Sequence, residues 1–126
     1  MKYLFDTNIL IYYFNGSLSD AIFQNISRMF QEYFAVSVIS KMEFLGFSGF
    51  KHAEMEKARR FLSFAKVIPL ENTIVEQVID IKQTFKIKLP DTIIAATAMY
   101  YDLHLVTRNV QDFKHVNVNL INPFQE

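Results

Sequence analysis

Short apolar runs alternate with longer stretches of helical periodicity, and this alternation constrains the fold more than any other feature of the sequence. Strands are predicted at residues 2–5, 34–37, 66–69, 103–107 and 116–121. Helices are predicted at residues 7–14, 17–33, 40–47, 52–65, 72–85 and 90–101, where apolar residues keep helical spacing between glycine and proline boundaries. Strands that alternate with helices predict an α/β fold with a mostly parallel, roughly five-stranded sheet covered on both faces.

The composition limits the classes of protein to which the chain can belong. Its 126 residues fit a single domain, 1–126, and a hydrophobic content of 51% is enough to build a core. Thirteen basic and thirteen acidic residues cancel, which argues against tight non-specific binding to DNA. A local basic patch can still hold a phosphate backbone. The absence of cysteine excludes disulfides, thiolate catalysis and cysteine-ligated zinc.

The hydropathy pattern contains no candidate membrane segment. No apolar run approaches the roughly 18 residues of a membrane-spanning helix. Asp6 interrupts the apolar stretch near the N-terminus, so the pattern of a secretory signal peptide is absent. We therefore expect a cytoplasmic protein that has no membrane partner.

Four acidic residues follow predicted strands or begin predicted helices, and each has an ordinary structural explanation. Asp6 suits an N-cap position at the start of a helix. Glu43 follows Ser40 by three residues, as in a capping box. Asp91 falls in the first turn of a helix, where a negative charge suits the helix dipole, and Asp112 falls in a predicted turn.

Their common position suggests more than capping. Sites in open α/β sheets form outside the carboxyl ends of the strands, and Asp6, Asn109 and Asp112 each follow a predicted strand. Glu43 and Asp91 begin helices that are expected at the same edge. Carboxylates brought together without cations repel one another, and a hard divalent cation such as Mg²⁺, which prefers oxygen ligands, removes that repulsion. The sequence therefore predicts a metal site at this edge.

Four segments of the sequence resemble the PIN domain, and specifically the VapC-like toxin ribonucleases of bacterial toxin–antitoxin pairs. In chain order they are YLFDTNILIYYF, ISKMEFLGF, LPDTIIAATAMYYDLHLVTRNVQDF and VNLINPF. The resemblance covers essentially the whole chain. It implies a three-layer α/β/α PIN fold and a Mg²⁺- or Mn²⁺-dependent endoribonuclease that hydrolyses RNA phosphodiester bonds. It also implies a cognate antitoxin as partner and a homodimer.

The resemblance also implies a set of site residues. Asp6, Glu43 and Asp91 match the first three acidic residues of the family, which serve in catalysis and metal binding. Many relatives have aspartate in the place of Asn109, whereas others have asparagine there and an acid three residues later, as Asp112 is here. Both remain candidates for the fourth position, with Asp112 ranked first, because an amide oxygen can bind a metal but adds no charge.

The polar neighbours of these acids are predicted to support them. Thr7, Asn8 and Thr107 stand beside the acids in sequence and are expected to hold the carboxylates through hydrogen bonds. The alternative for each is ordinary capping or turn chemistry. In VapC-like toxins the segment after Glu43, which is rich in phenylalanine here, commonly contacts the antitoxin. Core packing explains some of those phenylalanines equally well.

Two other functions compete with the ribonuclease. A haloacid-dehalogenase-like phosphotransferase also has aspartate after its first strand, but it needs a second one at the position of Asn8. A catalytically weak PIN module that binds RNA or protein without cutting is the second alternative. The presence of Asp6, Glu43 and Asp91 argues against it, and Asn109 gives it mild support.

Overall fold

The structure, a computed structural model of the chain, describes residues 1–125. Within these residues five strands alternate with seven helices. The strands are β1 (Tyr3–Phe5), β2 (Ala35–Ser37), β3 (Lys66–Ile68), β4 (His104–Val106) and β5 (Leu120–Ile121). The helices are α1 (Thr7–Asn15), α2 (Asp20–Glu32), α3 (Val38–Leu45), α4 (His52–Leu62), α5 (Asn72–Thr84), α6 (Leu89–Tyr100) and α7 (Val110–Phe113).

All strand pairs in the described residues are parallel, as predicted. β4 lies between β1 and β5, and β2 pairs with β3. β1 and β2 lie side by side between these two hydrogen-bonded ladders. The order across the molecule is therefore β5-β4-β1-β2-β3, so the carboxyl ends of β1 and β4 are direct neighbours.

The period of two along β1 explains why the sheet is covered on both faces. Leu4 is buried in one hydrophobic cluster, with Ile74, Ile94 and Leu105. The residues on either side of it, Tyr3 and Phe5, belong to a second cluster that packs against α1, α2 and α4. Because successive side chains of a strand point to opposite faces, a fully apolar strand needs a helical layer on each side. The three-layer α/β/α arrangement follows.

Helix α6 is the helix with the longest buried stretch in the described residues. Residues 92–98 are all buried, although the segment includes two threonines. The hydroxyl of Thr97 donates to the carbonyl of Ile93 at 2.7 Å, and that of Thr92 donates to the carbonyl of Lys88 at 2.9 Å. These bonds satisfy the hydroxyls inside the core, so α6 can pass through the fold without exposing a polar face.

Several element boundaries differ from the prediction, and local caps explain two of them. α2 begins at Asp20 rather than at residue 17, because the hydroxyl of Ser19 accepts from the backbone N–H of Ile22. α3 begins directly after β2, because the hydroxyl of Ser37 accepts from the backbone N–H of Ile39. β5 is shorter than the predicted strand 116–121, and α7 was not predicted. Within residues 1–125 no helix has the length and apolar character needed to cross a bilayer.

Candidate active site

Asp6 is positioned by two elements at once. Its backbone N–H donates to the carbonyl of Val106 at 2.9 Å, which extends the β1–β4 ladder by one residue. Its carboxylate caps α1, with Oδ1 accepting from the Thr7 N–H at 2.8 Å. Oδ2 accepts from the hydroxyl of Thr107, also at 2.8 Å. Only 4% of Asp6 is exposed, so a buried carboxylate is fixed at the end of the sheet.

Thr107 connects Asp6 to the turn after β4. Its backbone N–H donates to the carbonyl of Ile121 at 2.9 Å, and its hydroxyl accepts from the backbone N–H of Asn109 at 3.0 Å. Asn109 is the N-cap residue of α7, but its side chain is exposed and makes no capping hydrogen bond. The backbone of Asn109 is thus joined to Asp6 through one buried hydroxyl.

Glu43 is held by Thr7, the first residue of α1. The Thr7 hydroxyl donates to Glu43 Oε1 at 2.7 Å and lies 3.0 Å from the hydroxyl of Ser40. Glu43 lies in the second turn of α3, so the capping box predicted for Ser40 and Glu43 is wrong: Ser37 is the cap. Ser40 is instead a buried member of the site, which the sequence interpretation missed.

The electrostatics couple four carboxylates. Burial first, and then the charges of Asp6, Asp112 and Glu43 in that order, together raise the pKa of Asp91 to about 6; the charge of Lys88 acts in the opposite direction. Burial also raises the pKa of Asp6. The hydrogen bonds from Thr107 and Thr7 lower the pKa of Asp6, and the charges of Glu43 and Asp112 raise it.

The fold therefore brings together the four predicted acids. Asp6 follows β1, Glu43 lies on α3, Asp91 lies in the first turn of α6, and Asp112 lies in the first turn of α7. Among residues 1–125 none of these four forms a salt bridge. Within the described part of the protein, the charge of Lys88 and the hydrogen bonds from Thr7 and Thr107 offset only part of their effect on Asp91 and Asp6, because the pKa of each remains raised.

A cleft of about 370 Å³ opens at Asp91 and Asp112. Its rim carries Lys86, Lys88 and His115, none of which the sequence interpretation assigned to the site. The signal that would have found the two lysines is their place in KIKLPD, directly before the helix that carries Asp91.

The donor set suits a hard divalent cation. Carboxylate oxygens are the ligands that Mg²⁺ prefers, and an added cation removes the repulsion that raises the pKa of Asp91. In their present conformations, no three acidic or histidine side chains of residues 1–125 are close enough together to hold a metal ion. Glu43 and Asp112 are both exposed, whereas Asp6 is buried.

Two further polar residues lie near the site. Asn8 is exposed, and its side chain makes no hydrogen bond with any of residues 1–125. The guanidinium of Arg108 lies 4.6 Å from the centre of the Phe124 ring and 5.8 Å from that of Tyr12. These cation–π contacts hold the side chain of Arg108 against the two aromatic rings.

The sequence profile of the PIN domain family matches residues 3–119. No curated protein matches the chain in sequence. A solved toxin–antitoxin complex from Klebsiella pneumoniae contains a similar chain, with 32% identity over 98% of this chain and 99% of that one, and a TM-score of 0.81. VapBC2 from Rickettsia felis, bound to a DNA fragment from its promoter, is 26% identical over 97% and 98%, with a TM-score of 0.78. VapBC-1 from nontypeable Haemophilus influenzae has the same fold, with a TM-score of 0.80 at 21% identity over 99% and 100% of the two chains.

Proposed function

Because the chain belongs to the PIN domain family and is a VapC-like member of it, we propose that it is a metal-dependent endoribonuclease and the toxin of a toxin–antitoxin pair. One observation carries the proposal. The charges of Glu43 and Asp112 act on Asp6 and Asp91 at the carboxyl edge of a parallel sheet, and none of the four forms a salt bridge within the described residues. Such an arrangement costs stability unless a ligand uses it.

The proposed ligands of Mg²⁺ or Mn²⁺ are the four carboxylates, with the side chain of Asn109 as a further candidate. The bound cation supplies positive charge that polarises a phosphodiester and lowers the pKa of an attacking water. Asp6 is the fixed member, because each of its oxygens accepts one hydrogen bond and keeps lone pairs free. Glu43 and Asp112 are exposed, and the proposed role of whichever carboxylate does not contact the cation directly is to orient the water and accept its proton.

The partners proposed are an RNA substrate, a cognate antitoxin and a second copy of the chain. The similar chain in the Klebsiella pneumoniae toxin–antitoxin complex supports the antitoxin. A catalytically weak PIN module that only binds RNA or protein is the alternative. The intact set of four acids favours the nuclease, and calorimetry with Mn²⁺ separates the two, because a degenerate module has no reason to bind the ion.

The test of the proposal is cleavage of a structured RNA by the purified protein across a titration of Mg²⁺ or Mn²⁺. We expect Asp6→Asn to lower the rate by at least about a hundredfold while the circular dichroism spectrum is retained. Asp80→Asn, the same change at an exposed position of α5, is the matched control and keeps full activity. Cleavage that persists in EDTA, or in the Asp6 variant, would refute the mechanism.

A further inference from the structure

Two lysines line the cleft that holds Asp91 and Asp112. Lys86 and Lys88 belong to the segment that joins α5 to α6, and both are exposed. Neither forms a salt bridge within the described residues. The cleft is therefore lined both by carboxylates and by ammonium groups that form no salt bridge within the described residues.

The backbone that carries these lysines is held in place from several directions. Lys82 Nζ donates to the carbonyl of Ile87 at 2.6 Å, and the side chain of Ile87 is buried. The hydroxyl of Thr92 donates to the carbonyl of Lys88 at 2.9 Å. The peptide groups between Lys86 and Lys88 are thus fixed, while their two side chains project into solvent. A fixed backbone lowers the entropy that binding through these side chains must overcome.

The proposed function requires a positively charged surface that attracts RNA to an acidic site. RNA is a polyanion, the chain as a whole has no net charge, and the site itself carries four carboxylates. One phosphate can be drawn in by a cation bound at the carboxylates, but the phosphates on either side of it meet only repulsion there. Positive side chains that line the same cleft supply the missing attraction.

We propose that Lys86 and Lys88 bind a backbone phosphate of the RNA next to the one that is cut. This inference rests on the proposed function, because it assigns the substrate-positioning groups of the same site. The ligand class is a single-stranded RNA phosphate, held by two point charges without regard to base sequence.

A purely structural role of the lysines makes a different prediction. If Lys88 served only to keep Asp91 ionised, its removal would change the pH dependence of the reaction and leave RNA affinity alone. A phosphate contact instead appears in the dissociation constant and its salt dependence, because each contact releases counterions worth a slope of about 0.7 on a log–log plot for single strands.

The experiment measures binding of a fluorescein-labelled, mixed-sequence, single-stranded oligoribonucleotide by anisotropy, in EDTA, across a KCl titration. The variant is Lys86→Gln/Lys88→Gln. The matched control is Lys2→Gln/Lys66→Gln, which removes two exposed lysines that share another cleft, beside the amino ends of β1 and β3. We expect the rim variant to bind about tenfold more weakly, with a slope smaller by about 0.7 because one phosphate contact is lost, and the control to match the wild type.

The outcomes separate this inference from the proposed function. If the wild type cuts RNA, a raised KM with unchanged kcat in the rim variant supports the inference. If the wild type binds RNA without cutting it, weaker binding by the rim variant also supports the inference. In the second case the proposed function fails and the phosphate contact stands. Equal binding by wild type and rim variant, equal losses in the rim and control variants, or a wild type that does not bind the probe overturns the inference.

Discussion

The hydroxyl of Thr107 donates a hydrogen bond of 2.8 Å to Asp6 Oδ2, and this bond joins two residues 101 positions apart. Both groups are buried, so neither can exchange the bond for water. We expect Thr107→Val, which keeps the shape and removes the donor, to lower the free energy of unfolding by about 1–3 kcal/mol. RNA cleavage should fall by about 10–100-fold, because the proposed metal ligand loses its support.

Urea denaturation and cleavage rates check this prediction, and two variants control it. Thr107→Ser keeps the hydroxyl and should retain most of both properties. Thr97→Val removes another buried threonine hydroxyl, which bonds only to the carbonyl of Ile93 in its own helix. It should affect stability without a specific loss of activity. A Thr107→Val protein as active as wild type would show that Asp6 does not depend on this bond.

Thr7 supports the other side of the site, and its removal should have a different signature. Its hydroxyl donates to Glu43, whose carboxylate is exposed and can turn to water when the donor is lost. We expect Thr7→Val to change the urea midpoint less than Thr107→Val does, while cleavage still falls by about tenfold or more. Thr7→Ser should restore the rate. A variant with a normal rate would mean that Glu43 needs no orientation.

The pKa of Asp91, raised to about 6, predicts how stability depends on pH when no metal ion is present. The folded protein holds this proton more firmly than the unfolded chain, whose aspartate has a pKa near 3.8. Stability therefore falls as the pH rises through that interval. We expect Asp91→Asn, which cannot ionise, to be more stable than wild type above pH 6, by about 1 kcal/mol after allowance for solvent screening.

Chemical denaturation at a series of pH values in EDTA checks the prediction about Asp91. The two proteins should converge below about pH 4, where the wild-type side chain is protonated in both states. Adding Mn²⁺ at neutral pH should stabilise the wild type and have little effect on Asp91→Asn. If the variant is the less stable protein above pH 6, Asp91 is stabilised by its surroundings and the repulsion argument is wrong.

The layers of the fold could be predicted from the sequence because they depend on short-range periodicity. The alternation of Tyr3, Leu4 and Phe5 between two clusters is a property of any fully apolar strand. The helix end at Asn15 and Gly16 was likewise predictable, since Gly16 adopts a left-handed conformation with φ of 76°.

Contacts across the chain could not be predicted in the same way. The spacing of Ser40 and Glu43 matches a capping box, but Ser37 caps the helix because β2 runs into α3 without a loop. Ser40 meets Thr7 only because α1 packs against α3. The place of Lys86 and Lys88 just before Asp91 is visible in the sequence, but the cleft that they share with Asp112 is not, since α6 and α7 must first be placed around it. Side-chain partners between elements depend on packing, which periodicity does not encode.

Asp112 and Asn109 are the two candidates for the last position of the site, and their substitutions should differ. Asp112 contributes charge to the pKa of both Asp6 and Asp91, whereas the amide of Asn109 carries none. We expect Asp112→Asn to weaken Mn²⁺ binding by about tenfold or more and to slow cleavage correspondingly. Asn109→Ala should have a smaller effect, because the backbone N–H that bonds to Thr107 is retained.

Calorimetry with Mn²⁺ and parallel cleavage rates measure both variants, and Asp102→Asn, a change at an exposed turn residue, is the control. A larger loss in Asn109→Ala than in Asp112→Asn would assign the fourth position to the amide, and the Asp112 carboxylate would then act only as a negative charge at the mouth of the cleft.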